Sequence, residues 1–354
     1  MPEIKLGSID RFLGKVGQGP IPTSKPAGVV KAEVKVETEK PEKFVTAKDA
    51  DTPSDLKIPT FMMNFPFTLE IGQANNAWMK KGVKLDYEKA FSQWLALYNF
   101  LAGNALVYVL PSTYEMQDLP YVANLGCFLP HLKKETIILA NMKSPPRQGE
   151  EPIGEAFFKL MKYRVAQSPL YFEGEAELKY LYDNNYVLGY GQRTDIENKI
   201  WMERNFDMNV ITLKETNQKM YHLDCVIFPL TKDKTIACVD VILPEELKKL
   251  EKYTEIIPIN KKMGEAGTTN SVRCRNMVLC GSSINEKKEN TDDYKEERDK
   301  IEFLNRVCSD NGLETVIFNL SEMEKSGAAL SCNIMNFNYT HLVNKVVDED
   351  NNGD

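Results

Sequence analysis

A cysteine that follows a run of small residues offers close backbone approach and room for a substrate carbon. Ser321-Glu-Met-Glu-Lys-Ser-Gly-Ala-Ala-Leu-Ser-Cys-Asn333 places Cys332 after such a run, a setting in which a thiolate can be exposed and stabilised as a nucleophile. A second segment, Tyr221-His-Leu-Asp-Cys-Val-Ile-Phe-Pro229, carries His222 and Asp224 two residues apart at the start of an apolar run. On a strand, that spacing sends both side chains to one face. An imidazole beside a carboxylate there suits acid/base work next to a bound cation. A third, Tyr171-Phe-Glu-Gly-Glu-Ala-Glu-Leu178, clusters three acids between Phe172 and Leu178. Acids so flanked point at least partly inward and then require partners. Each pattern alone also has an inert reading: a buried thiol, a satisfied structural histidine, a solvated acidic face.

The elements that must position these residues alternate from Phe61 onward. A helix is predicted from Tyr87 to Leu101, then strands at Ala105–Leu110 and Thr136–Ala140, a turn at Pro145 and Pro146, and a helix through Ala156 and Met161. Further strands are predicted at Tyr186–Gly189, Val210–Leu213, Cys225–Pro229, Thr235–Val239 and Arg275–Leu279, with a helix opening on Pro244. This is α+β material in many short units. Residues 285–300 are so highly charged that they read as a helix or loop, most simply a solvated insertion. Residues 1–57, rich in Lys, Glu, Pro, Thr and Ala without apolar periodicity, read as a disordered tail. Within that tail Ile4, Leu6, Ile9, Phe12 and Leu13 could dock on a protein partner. Ser8-Ile-Asp-Arg-Phe-Leu13 resembles clamp-binding peptides but lacks their leading Gln. Residues 346–354 read as a short acidic tail.

Composition narrows the function classes. With 42% hydrophobic residues in a 354-residue chain a sizeable core is available. A formal net charge of -7 offers no electrostatic footprint for nucleic acid. No apolar run approaches the roughly 20 residues of a membrane span, and no hydrophobic leader opens the sequence, so a cytoplasmic protein is expected. Seven cysteines include no CxxC pair and there are three histidines, so no metal site is expected. The thiols other than Cys332 read as small buried hydrophobes. A homo-oligomer is compatible with all of this.

Taken together, the motifs resemble those of the guanidino-group-modifying superfamily: arginine deiminases, dimethylarginine hydrolases, glycine amidinotransferases and arginine dihydrolases. The superfamily's Phe-Glu-Gly-x-Gly-Asp, Gly-x-x-x-Arg-Thr, His-Leu-Asp and Ser-Glu-x-x-Lys-Ser-Gly-Gly-Gly-x-x-Cys segments have counterparts here in the same order. They are Phe172–Glu177, Gly189–Thr194, His222–Asp224 and Ser321–Cys332. Asp118-Leu-Pro-Tyr-Val-Ala-Asn-Leu-Gly126 and Ser144-Pro-Pro-Arg-Gln-Gly-Glu150 are similar to two earlier motifs, and Asn76-Ala-Trp-Met79 to one of the dihydrolase branch. The likeness spans about residues 60–340. It implies a pentein, a five-bladed α/β propeller with pseudo-fivefold symmetry and a central active site, over residues 58–345.

The resemblance also implies roles. Cys332 would form a covalent adduct at the guanidinium carbon, His222 would protonate the leaving ammonia and then activate water or an amine, and Glu173 would orient His222. Asn124, Asp224, Glu177 and Asn76 would contact the substrate, and Arg147 and Arg193 would pair with its carboxylate. No cofactor is required. Asn124, where deiminases carry Asp, points toward hydrolysis of arginine to ornithine, ammonia and carbon dioxide. Deimination to citrulline or transfer to an amine are the alternatives. Two departures matter: Ala176-Glu177 replaces Gly-Asp, and Gly327-Ala-Ala329 replaces a glycine run. A carboxylate displaced by about an ångström costs on the order of a hundredfold in rate, and alanines would strain any left-handed backbone. A catalytically degenerate pentein serving as a scaffold is therefore the rival from another class.

Overall fold

Parallel neighbours in a sheet cannot be joined by a tight turn, so each parallel pair needs a crossover. This chain uses a helix for the purpose five times. The computed structural model describes residues 52–342 apart from positions 81 and 114. The apolar island at Ile4–Leu13 and the acidic C-terminal residues lie outside the described residues.

Five three-stranded sheets share one plan: two antiparallel strands, then a third parallel to the middle one. In the first, β1 (Thr60–Asn64) leads through α1 (Tyr87–Ala102) to β2 (Leu106–Leu110). The second is β3 (Gly126–Leu129), β4 (Thr136–Leu139), α2 (Glu151–Leu160) and β5 (Arg164–Gln167). The third is β6 (Leu178–Tyr182), β7 (Asn185–Tyr190), α3 (Asn198–Phe206) and β8 (Asn209–Lys214). The fourth is β9 (Ile227–Pro229), β10 (Lys234–Cys238), α4 (Pro244–Leu250) and β11 (Glu255–Ile259). A short helix, α5 (Lys261–Glu265), leads to the fifth: β12 (Ser271–Cys274), β13 (Met277–Gly281), α6 (Asp292–Asp310) and β14 (Glu314–Phe318). After α7 (Ser321–Glu324), β15 (Met335–Asn336) pairs antiparallel with β1, Met62 opposite Met335. The first sheet is thus completed from the far end of the sequence. That pairing brings the Cys332 segment beside β1.

Local physics accounts for these elements. Asp86 caps α1 by accepting from the Lys89 N–H at 3.1 Å, and Ala90, Trp94, Leu97 and Leu101 form its buried stripe. β4 is buried at all four positions, as expected of a middle strand covered on both faces. Three apolar clusters fill the interior. One gathers Phe158, Phe172, Tyr186 and Phe337, a second Leu223, Ile236, Leu250 and Leu304, and a third Phe61, Trp94, Leu279 and Cys332. Each fully buried Phe or Leu contributes roughly 1.5–3 kcal/mol. No helix among the described residues is long and apolar enough to cross a membrane.

Three expectations change. Residues 285–300 are no insertion: most of them belong to α6, the crossover helix of the fifth sheet. Its charges hide a stripe of Leu304, Val307 and Cys308, and Lys300 is 2% exposed, its ammonium bound to Ala266 O, Gly281 O and Glu297. Residues 52–57, at the end of the stretch read as a tail, take a defined local structure. Thr52 and Asp55 form a capping box on a turn at Pro53–Leu56, and Ser54 bonds to Tyr163 and Phe337. Finally, Cys225 and Arg275 stand in turns before β9 and β13, Arg275 with φ 55°.

Candidate active site

The chemistry-bearing residues come from equivalent places in the repeated unit. A single 3-10 turn precedes the first strand of four sheets: Val122–Asn124, Gly174–Ala176, Leu223–Cys225 and Ser331–Asn333. These turns supply Asn124, the Glu173–Glu177 acids, His222 with Asp224, and Cys332. In the remaining sheet the corresponding segment supplies Asn270, just before β12. Turns of this kind expose backbone N–H groups and aim side chains away from the ladder. His222 and Asp224 therefore do not share a strand face as their spacing suggested, because β9 begins only at Ile227.

Around the histidine the geometry is tight. His222 Nε2 lies 2.7 Å from Glu173 Oε2 and 3.2 Å from Asn124 Nδ2. Arg193 Nη1 meets the same Glu173 carboxylate at 3.2 and 3.3 Å, its Nη2 donates to Asn75 O, and its guanidinium lies over the Tyr221 ring at 5.1 Å. Glu173 is fully buried. Burial alone would raise its pKa, but His222, Arg193 and Arg147 outweigh it and pull the carboxyl down to about 2. Burial lowers the His222 pKa against the pull of Glu173. The imidazole is thus neutral at neutral pH, and Glu173 is held ionised mainly by the arginines and by the ring N–H it accepts.

Cys332 sits beside this group and is 6% exposed. Its Sγ is 3.9 Å from Asp224 Oδ2 and 3.7 Å from Asn270 Nδ2. Burial and the Asp224 charge push the thiol up to about 12, against the Ala329 backbone, Asn270 and the Lys179 charge. The resting sulfur is a protonated thiol, not the exposed thiolate expected from the small-residue turn. The turn itself is unstrained where the sequence raised concern. Gly327 alone takes a left-handed φ of 82°, so Ala328 and Ala329 cost nothing. A side chain at Gly327 would run into the Asn76 amide.

A recess of about 300 Å³ is lined by Cys332, His222, Asn124, Arg147, Arg193 and Asn76, with Asn75, Asp118, Tyr121, Tyr221, Ser326 and Ala328. A second, wider recess of about 1200 Å³ shares Tyr221, His222, Ala328 and Cys332 with it. Six of the nine site residues read from the sequence therefore face one space. Glu173 stands behind it, gripping His222 and Arg193. Asp224 lies under Cys332, its Oδ2 accepting from Ser331 Oγ at 2.7 Å. Asn76 is consumed by its own loop, accepting from the Trp78 and Met79 N–H groups and donating to Ser326 O. Arg147 is bound doubly to Glu150 and to the Asp118 and Tyr121 carbonyls.

Glu177, expected at the substrate, stands away from both recesses. It is fully buried, and its Oε2 accepts from the Leu223 N–H at 3.2 Å. Its carboxylate lies between β7, at Gly189, and the His222 turn, at Leu223. The sequence reading also passed over Asp118, Asn75 and Asn270. Asp118 is 2% exposed, accepts from Asn75 and Gln117, and leaves Oδ1 without a partner among the described residues. Its burial raises the carboxyl pKa against Arg147 and Arg193. Its place in a resembling motif was the available signal. Among the described residues no cluster of three His, Cys, Asp or Glu side chains is placed to hold a metal ion.

Known proteins bear on this geometry. The bifunctional arginine dihydrolase/ornithine cyclodeaminase AgrE of Nostoc sp. is 28% identical over 174 residues, which span 48% of this chain and 24% of that protein. The N(G),N(G)-dimethylarginine dimethylaminohydrolase of Mycobacterium tuberculosis is 26% identical over 178 residues, 50% of this chain and 57% of that one. Each alignment thus covers less than two thirds of the relative. In fold, the substrate-bound N-terminal domain of the cyanobacterial arginine dihydrolase ArgZ matches with a TM-score of 0.69 at 20% identity, covering 79% of this chain and 98% of that one. A dimethylarginine dimethylaminohydrolase adduct with S-methyl-L-thiocitrulline matches with a TM-score of 0.60 at 17% identity, covering 79% and 99%. The family model for eukaryotic N,N dimethylarginine dimethylhydrolase matches residues 63–338. The chain belongs to that family, within the pentein guanidino-group-modifying hydrolases.

Proposed function

We propose that this protein hydrolyses the guanidino group of a free α-amino acid through a covalent Cys332 adduct, with arginine, converted to ornithine, as the preferred substrate. The observation that carries the reading is the meeting of Cys332, the His222–Glu173 pair, and a recess holding two arginines with the under-satisfied Asp118. We also take the five sheets to close around a pseudo-fivefold axis. Their common strand order and the likeness to solved pentein structures support that arrangement.

The chemistry follows from charge. A buried thiol beside a carboxylate resists ionisation, and a guanidinium entering next to Cys332 and Asp224 offsets exactly that opposition with its own positive charge. The thiolate then forms where its target lies, a near-attack arrangement. As the sulfur attacks the guanidinium carbon its proton passes to His222, giving a tetrahedral adduct; His222 then delivers that proton to the nitrogen that leaves as ammonia. Water next attacks the thiouronium carbon, giving its proton to His222, and the C–S bond breaks to leave a ureido product and return Cys332. A second round on the remaining nitrogen releases another ammonia and carbon dioxide, so that arginine and two waters become ornithine, two ammonia and carbon dioxide. Glu173 keeps the imidazole oriented through both rounds. Arg147 Nη1 and Arg193 Nε have no protein partner among the described residues, which suits them to the substrate carboxylate. Asp118 suits its α-ammonium.

The family model favours a second reading, hydrolysis of dimethylated arginine to citrulline and dimethylamine. Incubation of the full chain with arginine or asymmetric dimethylarginine, beside a Cys332→Ser control, decides between them. Ornithine with two ammonia supports the first reading; citrulline with dimethylamine replaces it by the second. Absence of turnover, together with no labelling of Cys332 by a haloacetamidine, rejects both.

A further inference from the structure

Glu177, displaced from the substrate recess, does not stand alone. Glu215, the residue after β8, is 6% exposed and lies against it. The two carboxyls converge over Gly189. A Cβ built there would be 2.5 Å from Glu177 Oε2, 2.9 Å from Glu215 Oε1 and 2.8 Å from Leu223 Cβ. Glu177 Oε2 accepts from the Leu223 N–H, and Glu215 Oε2 accepts from the Gln192 N–H at 3.3 Å. Their Oε1 atoms, both buried, have no partner among the described residues. No Lys, Arg or His pairs with either carboxyl among the described residues. The groups facing them are the carboxyls of Glu173, from the turn before β6, and Asp224, from the turn before β9, with the Cys225 thiol beside Asp224. Two carboxylates so enclosed cannot both ionise.

We propose that Glu177 and Glu215 share one proton and act as a positioning pair for the His222–Leu223 peptide, releasing it when that proton is lost. The shared proton gives both orphan oxygens a partner, and leaves Glu177 free to hold the Leu223 N–H, one peptide from His222. The acid/base role of His222 in this proposal rests on the function proposed above; the shared proton does not. Burial and the neighbouring charge raise both carboxyls, Glu215 to about 7 and Glu177 well above the usual carboxylate range. Their folded pKa values thus exceed those of the unfolded chain. Their stabilising contribution is complete in acid and disappears as pH rises through about 7 and beyond.

The test uses the full chain with Glu215→Gln, whose amide donates to Glu177 as the protonated acid does, and Glu215→Leu, which cannot. Three readouts are followed from about pH 6 to 9: Tm, the His222 imidazole NMR resonance, and kcat. The expected result is a wild-type Tm that falls with pH, a fall that flattens in Glu215→Gln. In that variant the His222 resonance also loses its step near neutrality, and the alkaline decline of kcat moves up by about one pH unit. Glu215→Leu should stay folded and lose on the order of tenfold in kcat at all pH values, with KM little changed. Identical pH profiles of Tm and resonance in wild type and Glu215→Gln would overturn the shared proton. Equal kcat in the two variants would overturn the positioning role. If no candidate substrate is turned over but Tm and resonance respond as expected, the proposed function fails and the proton-sharing pair stands.

Discussion

The Cys332 sulfur lies 3.9 Å from Asp224 Oδ2, so the nucleophile faces a negative charge. That charge is itself fixed by the Ser331 hydroxyl at 2.7 Å. The pair explains why the free protein holds a quiet thiol and why a cationic substrate would awaken it. Asp224→Asn should therefore separate reactivity from catalysis. Removing the charge lowers the thiol pKa by about one unit or more, so iodoacetamide labelling of Cys332 in the free protein moves to lower pH. Turnover of a guanidinium substrate should fall on the order of a hundredfold. Labelling that keeps its wild-type pH dependence would contradict the electrostatic role.

Glu173 links His222 to Arg193 and is depressed to about 2. Its folded pKa lies below the unfolded value near 4.5, so its stabilisation is present above about pH 4.5 and is lost as pH falls toward 2. Glu173→Gln should flatten the acid loss of stability over that window. It should also reduce kcat on the order of a hundredfold, because the imidazole loses its orienting charge. Acid denaturation followed by circular dichroism, beside steady-state kinetics, checks both.

Asp118 offers its unpaired Oδ1 near Arg147 and Arg193 in the recess. Asp118→Asn should raise KM for an α-amino acid substrate by about tenfold or more, with a smaller change in kcat. A substrate acetylated on its α-nitrogen should bind poorly to the wild type and show no further loss in the variant. Equal losses for both substrates would assign Asp118 a purely structural part.

Gly327 has φ 82° and packs against Asn76. Gly327→Ala should destabilise the protein by about 1–3 kcal/mol and displace the loop carrying Asn76. Ala328→Gly and Ala329→Gly, which restore the glycine run of related sequences, should bring no gain in stability, since neither position is left-handed. Thermal melts of the three variants decide it.

Short-range signals carried much of this molecule. The stripe of Ala90, Trp94, Leu97 and Leu101 behind the Asp86 cap foretells α1, the continuous apolar run at Thr136–Leu139 foretells β4, and Pro244 opens α4. Periodicity and capping act within a few residues, so they are written along the chain. A helix was open at α6 from its sequence, but its burial was not, because its buried stripe includes Lys300, whose ammonium is satisfied by carbonyls from α5's end and β13 that no local window contains.

The site divides in the same way. The motif order that resembles the superfamily brought Cys332, His222, Glu173, Asn124, Arg147 and Arg193 forward as candidates, because motif order is written along the chain. The sequence by itself thus determined which groups were available. Tertiary structure alone decided which oxygen meets which proton: Asp224 under Cys332, Glu173 between His222 and Arg193, Glu177 against Glu215. The Asp224–Ser331 contact joins turns that precede strands of different sheets, more than a hundred residues apart. Hydrogen bonds and charge pairs act over a few ångströms, so their partners are set by how the sheets pack and not by spacing along the chain.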